Sequence, residues 1–243
     1  MSFFSRNRAP FILAHRGASG EFPENTLASF REAVRQRADA IELDLQLTSD
    51  GHLVASHDRN LRRVSGHAVV VEDTAFHVLR HLSVSRRFPG LGKIVIPSLE
   101  EIFEALPPEF PLNLDLKCRR AGRRRFADAL ARRIEGRGHL LLSSFNWVLL
   151  GEIRRRLAGV EIMPAVHRKF GGAVRFAESA NAPAVAAHHK FLRRRFLRAA
   201  DAKNLAVLAF TVNDSAEALR LLRLGVSGFF TNFPRRLRAG LQT

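Results

Sequence analysis

The chain has 243 residues, 46% of them apolar, with one cysteine, no tyrosine, and 39 basic against 23 acidic side chains for a formal charge of +16. The length suits one barrel-sized domain. The apolar share excludes a disordered chain, the lone cysteine excludes a disulfide framework or a four-cysteine zinc site, and no apolar run reaches the ~18 residues that span a bilayer. The charge alone points to an anionic partner: nucleic acid, acidic lipid or a phosphorylated small molecule.

The first ten residues, Met1 to Pro10, contain no apolar core of secretory type, which with a single free cysteine leads to the expectation of a cytoplasmic protein. From there short apolar runs alternate with helical patterns. Candidate strands are Phe11–His15, Ala40–Leu47, Leu53–His57, Ile94–Ile96, Leu112–Lys117, Leu140–Phe145, Glu161–Val166, Val185–His188, Val207–Asn213 and Gly228–Thr231. Helical patterns cover Thr26–Arg37, Leu99–Leu106, Arg123–Gly136, Trp147–Leu157, Gly172–Ser179, Phe191–Ala202 and Ser215–Leu224. Repeated strand–helix units of this total length predict a (β/α)8 TIM barrel, with a doubly wound open sheet as the alternative. Ten candidate strands are two too many for a barrel. One extra is explained by Ser49-Asp50-Gly51, a hairpin signal too short for a crossover helix. The chain should turn back there and bring His57 beside Glu42 and Asp44. The segment 59–93 is read as a small insertion or lid.

The basic excess begins late. Residues 1–118 hold 14 Lys and Arg against 15 acids, and residues 119–243 hold 25 against 8. Clusters such as Arg123–Arg125, Arg154–Arg156 and Arg193–Arg195 lie in or beside amphipathic helical patterns. They are read as solvated outer helix faces, with a membrane-surface or nucleic-acid role as the alternative.

The chemistry concentrates on two strands. Alternate strand residues share a face, so Glu42 and Asp44 point one way and Ile41, Leu43 and Leu45 the other. Paired carboxylates in a barrel repel unless a cation or donors compensate them, and a hard divalent ion takes oxygen ligands. Asn113, Asp115 and Lys117 repeat the device, offering a third acid and a cation for phosphate, or simply an internal Asp115–Lys117 ion pair. His15 and His57 both end candidate strands, where barrel sites form, and a pair of imidazoles can supply a base and an acid. Arg16 can bind an anion bidentately. Asn25 is a candidate helix N-cap and Glu24 a candidate for holding the catalytic loop or assisting a metal. Cys118 is read as a small packed residue, and His188 and His189 as structural or surface residues.

These residues resemble a known family. His15-Arg16-Gly17, Glu24-Asn25-Thr26, Glu42-x-Asp44, Asp50-Gly51 and His57-Asp58, in this order and spacing, look like the glycerophosphodiester phosphodiesterases. Ile96-Pro97-Ser98-Leu99-Glu100-Glu101, Asn113 to Lys117, Ser144-Phe145, Thr211-Val212-Asn213 and Thr231-Asn232-Phe233-Pro234 extend the resemblance from about Phe11 to Pro234. It implies a barrel enzyme that uses one divalent cation, Mg2+ or Ca2+, to hydrolyse glycerophosphodiesters to glycerol 3-phosphate and an alcohol. By the same resemblance Glu42, Asp44 and Asp115 would be metal ligands, His15 and His57 the acid–base pair, and Arg16 and Lys117 the phosphate-binding cations. Glu24 and Phe210 would border the substrate pocket.

Three positions depart from the family pattern. Asp115 replaces a usual Glu, which sets its carboxylate back by about 1.5 Å. Phe210 replaces a usual Trp, losing an N–H donor, and Asn232 replaces a usual Asp, losing a charge. The alternatives are a phospholipase of the same mechanism, acting on lysophospholipids or phosphoinositides, and a non-catalytic polyanion-binding protein. On the main reading the partner is a small molecule, not nucleic acid, with peripheral contact to an anionic membrane surface as an added property.

Overall fold

The computed structural model describes residue 3 and residues 10–242, other than 158 and 169; the leader reading of the N-terminus falls largely outside the described residues. In chain order the elements are β1 (Phe11–His15), α1 (Leu27–Arg35), β2 (Ala40–Leu47), β3 (Leu53–Ala55), α2 (Arg62–Ser65), α3 (Phe76–Leu79), α4 (Leu99–Ala105) and β4 (Leu112–Leu116). They continue as α5 (Arg123–Ile134), β5 (Leu140–Ser144), α6 (Trp147–Arg156), β6 (Glu161–Val166), α7 (Phe170–Ser179), β7 (Ala184–His188), α8 (Arg194–Asp201), β8 (Ala206–Phe210), α9 (Ser215–Leu222), β9 (Gly228–Thr231) and α10 (Pro234–Gly240). Eight strands pair in parallel in the order β1-β2-β4-β5-β6-β7-β8-β9, and β9 returns to β1. This is the closed TIM barrel expected from the alternation of strands and helices.

The ninth strand is the predicted hairpin arm. β3 runs antiparallel to β2, with Leu45 opposite Ala55 and Leu47 opposite Leu53, and the turn is closed by the Thr48–His52 backbone bond. The strand ends at Ala55, so His57 lies in the loop beyond it rather than inside the predicted Leu53–His57 strand. Ile94–Ile96 is not a strand: Ile96 instead packs into a satellite cluster with Val54, Leu61, Val71, Leu79 and Val84 beneath the segment 59–93. That segment buries its own apolar residues, Val69 and Val71 among them, against Val54 of the hairpin.

Strand periodicity divides the core in two. Outward residues such as Ile41, Leu43, Leu114 and Leu142 pack against the helices in the main cluster. Inward residues Leu13, Ala40, Leu141, Ala186, Leu208 and Phe230 fill the barrel floor, and Phe3 joins them with its ring centroid 5.6 Å from that of Phe11. Two residues further along each strand, the same inward face reaches His15, Glu42, Ser143, His188, Phe210 and Asn232. The polar mouth is thus the continuation of the apolar floor, at the C-terminal ends of the strands.

The basic helices use many of their arginines at seams between elements. Arg133 pairs with Glu100, Arg156 with Asp128, Arg235 with Glu32 and Arg238 with Asp39. Among the described residues no helix is long and apolar enough to cross a membrane.

Candidate active site

Three buried carboxylates form the centre. Glu42 and Asp44 come from β2 and Asp115 from β4, exposed by 4%, 2% and 6%. Asp44 lies directly opposite Asp115 in the sheet register, and the three present oxygens within 4.8 Å of one another. Mutual repulsion is offset by two cations. Lys117 meets the Asp115 carboxylate and sits 3.2 Å from Asp44 Oδ1, while Arg16 Nε lies 3.2 Å from Asp44 Oδ2. The Arg16 backbone N–H donates to Glu42 at 2.9 Å.

The charges are shared unequally. Burial and the neighbouring charges of Asp44 and Asp115 push Glu42 well above the usual carboxylate range. Burial also raises Asp115, with Asp44 adding to it and Lys117 opposing. Asp44 goes the other way: burial works against its charge, but Lys117 and Arg16 outweigh it and hold the group ionised. Counted formally, three buried acids against two cations leave one excess negative charge. An oxygen donor set with that excess fits a hard divalent cation.

The local backbone explains how Arg16 arrives. Arg16 and Gly17 both have positive φ, 58° and 79°, and a Cβ on Gly17 would stand 2.5 Å from Ser29 Oγ. The tight turn therefore needs glycine against the first turn of α1. Asn25, predicted as the helix cap, does something else. Thr26 caps α1 through a capping box with Ser29. Asn25, at φ 56°, donates to Asp44 Oδ2 at 2.8 Å and accepts from the Asp44 N–H at 3.1 Å. Asn25→Ala removes one bond from the buried Asp44 carboxylate and one from its backbone N–H, and places Ala in a left-handed conformation. It is expected to lower unfolding free energy by about 2–4 kcal/mol in urea titration, with Asn25→Gly recovering only the backbone part.

The two imidazoles are held differently. His15 Nδ1 lies 2.8 Å from Asn232 Oδ1, an acceptor, so Nδ1 carries the proton and Nε2 keeps its lone pair. Burial and the adjacent Arg16 charge lower His15 to about 4. His57 Nδ1 lies 2.7 Å from the Asp58 carboxylate, and the side chain is 36% exposed. Arg63 of α2 then ties the loops together, with bonds to Glu24 at 2.6 and 2.7 Å and to Asp58 at 2.5 Å. Glu24 also accepts from Arg16 at 2.9 Å. Glu24 thus bridges two arginines and is not part of the clustered carboxylates.

The His15 environment has a stability consequence. The unfolded imidazole titrates near 6.5 and the folded one near 4, so the unfolded chain binds more protons between those values. Stability is full above pH ~6.5, falls as the pH drops towards ~4, and then levels off. Urea midpoints measured in chelator should show this fall in the native protein, and His15→Gln should lack that portion.

Lys117 also lies 5.5 Å from the Phe145 ring centroid. Phe145 stacks on His167 with centroids 4.8 Å apart and meets Phe210 edge-on. Phe210 contacts His167, His188 and Phe230 edge-on as well, so it belongs to the aromatic wall of the mouth. His189 pairs with Glu217 at 3.1 Å. Cys118 is half-buried, and burial pushes its thiol up to about 11, far from a reactive thiolate. Reading the sequence brought out Glu42, Asp44, Asp115, His15, His57, Arg16, Lys117 and Glu24, and the fold brings all eight to one mouth. It passed over Arg63 and the Asp44 contact of Asn25.

Comparison with known proteins agrees with this geometry. Residues 15–236 match the glycerophosphoryl diester phosphodiesterase family. The chain is 30% identical to a glycerophosphodiester phosphodiesterase of Bacillus altitudinis, covering 93% of this chain and 95% of that protein. It is 27% identical to a human lysophospholipase D, covering 93% and 84%. Among solved structures it is similar to an Oleispira antarctica phosphodiesterase in complex with the product sn-glycerol-3-phosphate, with a TM-score of 0.93 and 27% identity over 100% of both chains. The barrel, the ordered motifs at its mouth and a family match over most of the sequence place the chain in the glycerophosphoryl diester phosphodiesterase family, as an enzyme of that kind.

Proposed function

We propose that this mouth hydrolyses a small glycerophosphodiester to glycerol 3-phosphate and an alcohol, with one divalent cation, Mg2+ or Ca2+, held by Glu42, Asp44 and Asp115. The observation that carries the reading is the three-carboxylate cluster flanked by two imidazoles with unlike partners. A cation bound there supplies charge for the phosphoryl oxygens as negative charge develops on them. Arg16 adds to this: its guanidinium, held against Asp44 and Glu24, is a fixed positive charge beside the carboxylates. Lys117, tied to Asp115 and Asp44, supplies a second fixed positive charge.

The unlike partners divide the proton work. His15, neutral and with Nε2 free of its proton, acts as the general base and takes the proton of the attacking hydroxyl. That hydroxyl belongs to water, or to the glycerol 2-position, in which case a cyclic phosphate forms as the alcohol leaves and water then opens it to glycerol 3-phosphate. Asp58 orients the His57 ring from its Nδ1 side, and His57, at the open side of the mouth, gives a proton to the leaving alkoxide oxygen as the P–O bond breaks. Arg63 fixes Asp58 and Glu24 in position, and the segment 59–93 is the insertion that carries it.

A lysophospholipid substrate is the second reading, favoured by Phe145, 43% exposed beside Lys117 at the mouth. Glycerol 3-phosphate release from soluble glycerophosphodiesters, compared with lysophosphatidic acid release from a lysophospholipid, separates the two. Faster turnover of the soluble diesters is expected. Turnover of the lysophospholipid alone would replace the first reading with the second.

A further inference from the structure

The two histidines differ in access as well as in partner. His15 is packed inside the mouth against Asn232, whereas His57 is 36% exposed and borders an open groove of about 300 Å³. If His57 serves the leaving alcohol, as the proposed function holds, that alcohol lies in this groove. Its walls include His57, Arg59, Lys117, Arg119, Phe145 and Asn146, and among the described residues no carboxylate lines it.

The two arginines are positioned from behind. Glu72 meets Arg59 Nε at 3.2 Å and also pairs with Arg119, and Asp73 lies 3.3 Å from Arg119 Nη2. Both acids line the neighbouring groove on the other side of Arg119. The ion pairs hold the guanidinium groups without placing a negative charge in the alcohol groove. Arg59 and Arg119 remain 53% and 41% exposed, so solvent and ligand can reach them.

We infer that the groove selects diesters whose alcohol carries an anionic group, such as a second phosphate, and that Arg59 and Arg119 are the specificity-determining residues. A quaternary ammonium alcohol would meet like charge from both arginines and from Lys117, set against the face of Phe145. A neutral polyol would fall between the two.

The test measures kcat/KM for glycerol 3-phosphate release from three diesters: glycerophosphoinositol 4-phosphate, glycerophosphoglycerol and glycerophosphocholine. At low salt the anionic alcohol is expected to exceed the neutral one by about tenfold, two partly exposed charge contacts being worth up to about 1 kcal/mol each. Choline should rank last. Raising ionic strength from about 0.01 M to about 1 M, which shortens screening from about 30 Å to about 3 Å, should collapse the ratio. The double variant Arg59→Gln, Arg119→Gln should lower the same ratio about tenfold at low salt. If that variant does not fold, the salt dependence of the native enzyme decides the matter alone. Equal rates for anionic and neutral alcohols, a choline preference, or a ratio that survives high salt would overturn the inference while leaving the hydrolase reading intact. No release from any of the three would overturn both.

Discussion

His57→Ala is expected to lower kcat for an alkyl glycerophosphodiester by about 100- to 10,000-fold, with KM little changed. An alkoxide is a poor leaving group, and the residue next to the open groove is the one placed to protonate it. The same variant should recover most of its activity on a nitrophenyl glycerophosphodiester, whose phenolate leaves without a proton. His15→Ala should lose a similar factor on both substrates, because a general base is needed whatever leaves. The contrast rests on placement: burial and the Arg16 charge keep His15 neutral, with Nδ1 tied to Asn232, whereas His57 is held by Asp58 at the open side of the mouth. Equal losses on the nitrophenyl ester would mean that the roles are not divided in this way. Losses in both variants with an unchanged urea midpoint exclude a general folding defect.

Glu42 and Asp44 should separate activity from stability, because their buried charges sit in opposite circumstances. Glu42 is raised well above its ordinary range by burial and by the charges of Asp44 and Asp115. A carboxylate raised in this way destabilises the fold at neutral pH. The penalty is absent below the unfolded value of 4.5 and grows as the pH rises towards the folded value. Glu42→Gln keeps an acceptor for the Arg16 N–H, so the metal-free protein should gain stability at neutral pH. Asp44 is held ionised by Lys117 and Arg16 and bonded by Asn25. Asp44→Asn leaves two cations without that partner and should cost about 3 kcal/mol. Both variants should lose more than about 100-fold in kcat/KM, since both remove an oxygen from the proposed cation site. Thermal melts with and without Mg2+ check the same point from another side. The native protein should gain stability from the cation, and Glu42→Gln should gain little. A Glu42→Gln protein that melts lower than the native one in chelator would contradict the electrostatic account of the site.

Much of this site was legible because a strand has a simple period. Glu42, Asp44, Asp115 and Lys117 alternate with leucine and isoleucine, so a common inward face follows once the barrel is assumed. His57 was placed by the hairpin at Ser49-Asp50-Gly51, and the structure shows that hairpin although β3 is short. What the sequence could not convey depends on chain segments that meet only in three dimensions. Arg63 reaches Glu24 across 39 residues, and nothing local marks one arginine among 34. Asn25 looked like a cap because Asn is a good one, but Thr26 takes that role and frees Asn25 for Asp44. Ile94–Ile96 has strand composition, yet Ile96 is buried in the satellite cluster with Ile94 against it, and the segment is not a strand. The +16 charge misled most when taken whole, since arginines such as Arg133, Arg156 and Arg238 are paired with acids at seams between elements. The cations at the carboxylate centre are Arg16 and Lys117.

The central claim, cation-dependent cleavage that leaves the phosphate on glycerol, is tested most directly by phosphorus NMR of a glycerophosphodiester incubated with the native enzyme. With Mg2+ or Ca2+ present, the diester signal should convert to that of glycerol 3-phosphate, and an excess of chelator should stop the conversion. An unchanged diester with every cation, or phosphate appearing on the alcohol instead of glycerol, would contradict the account.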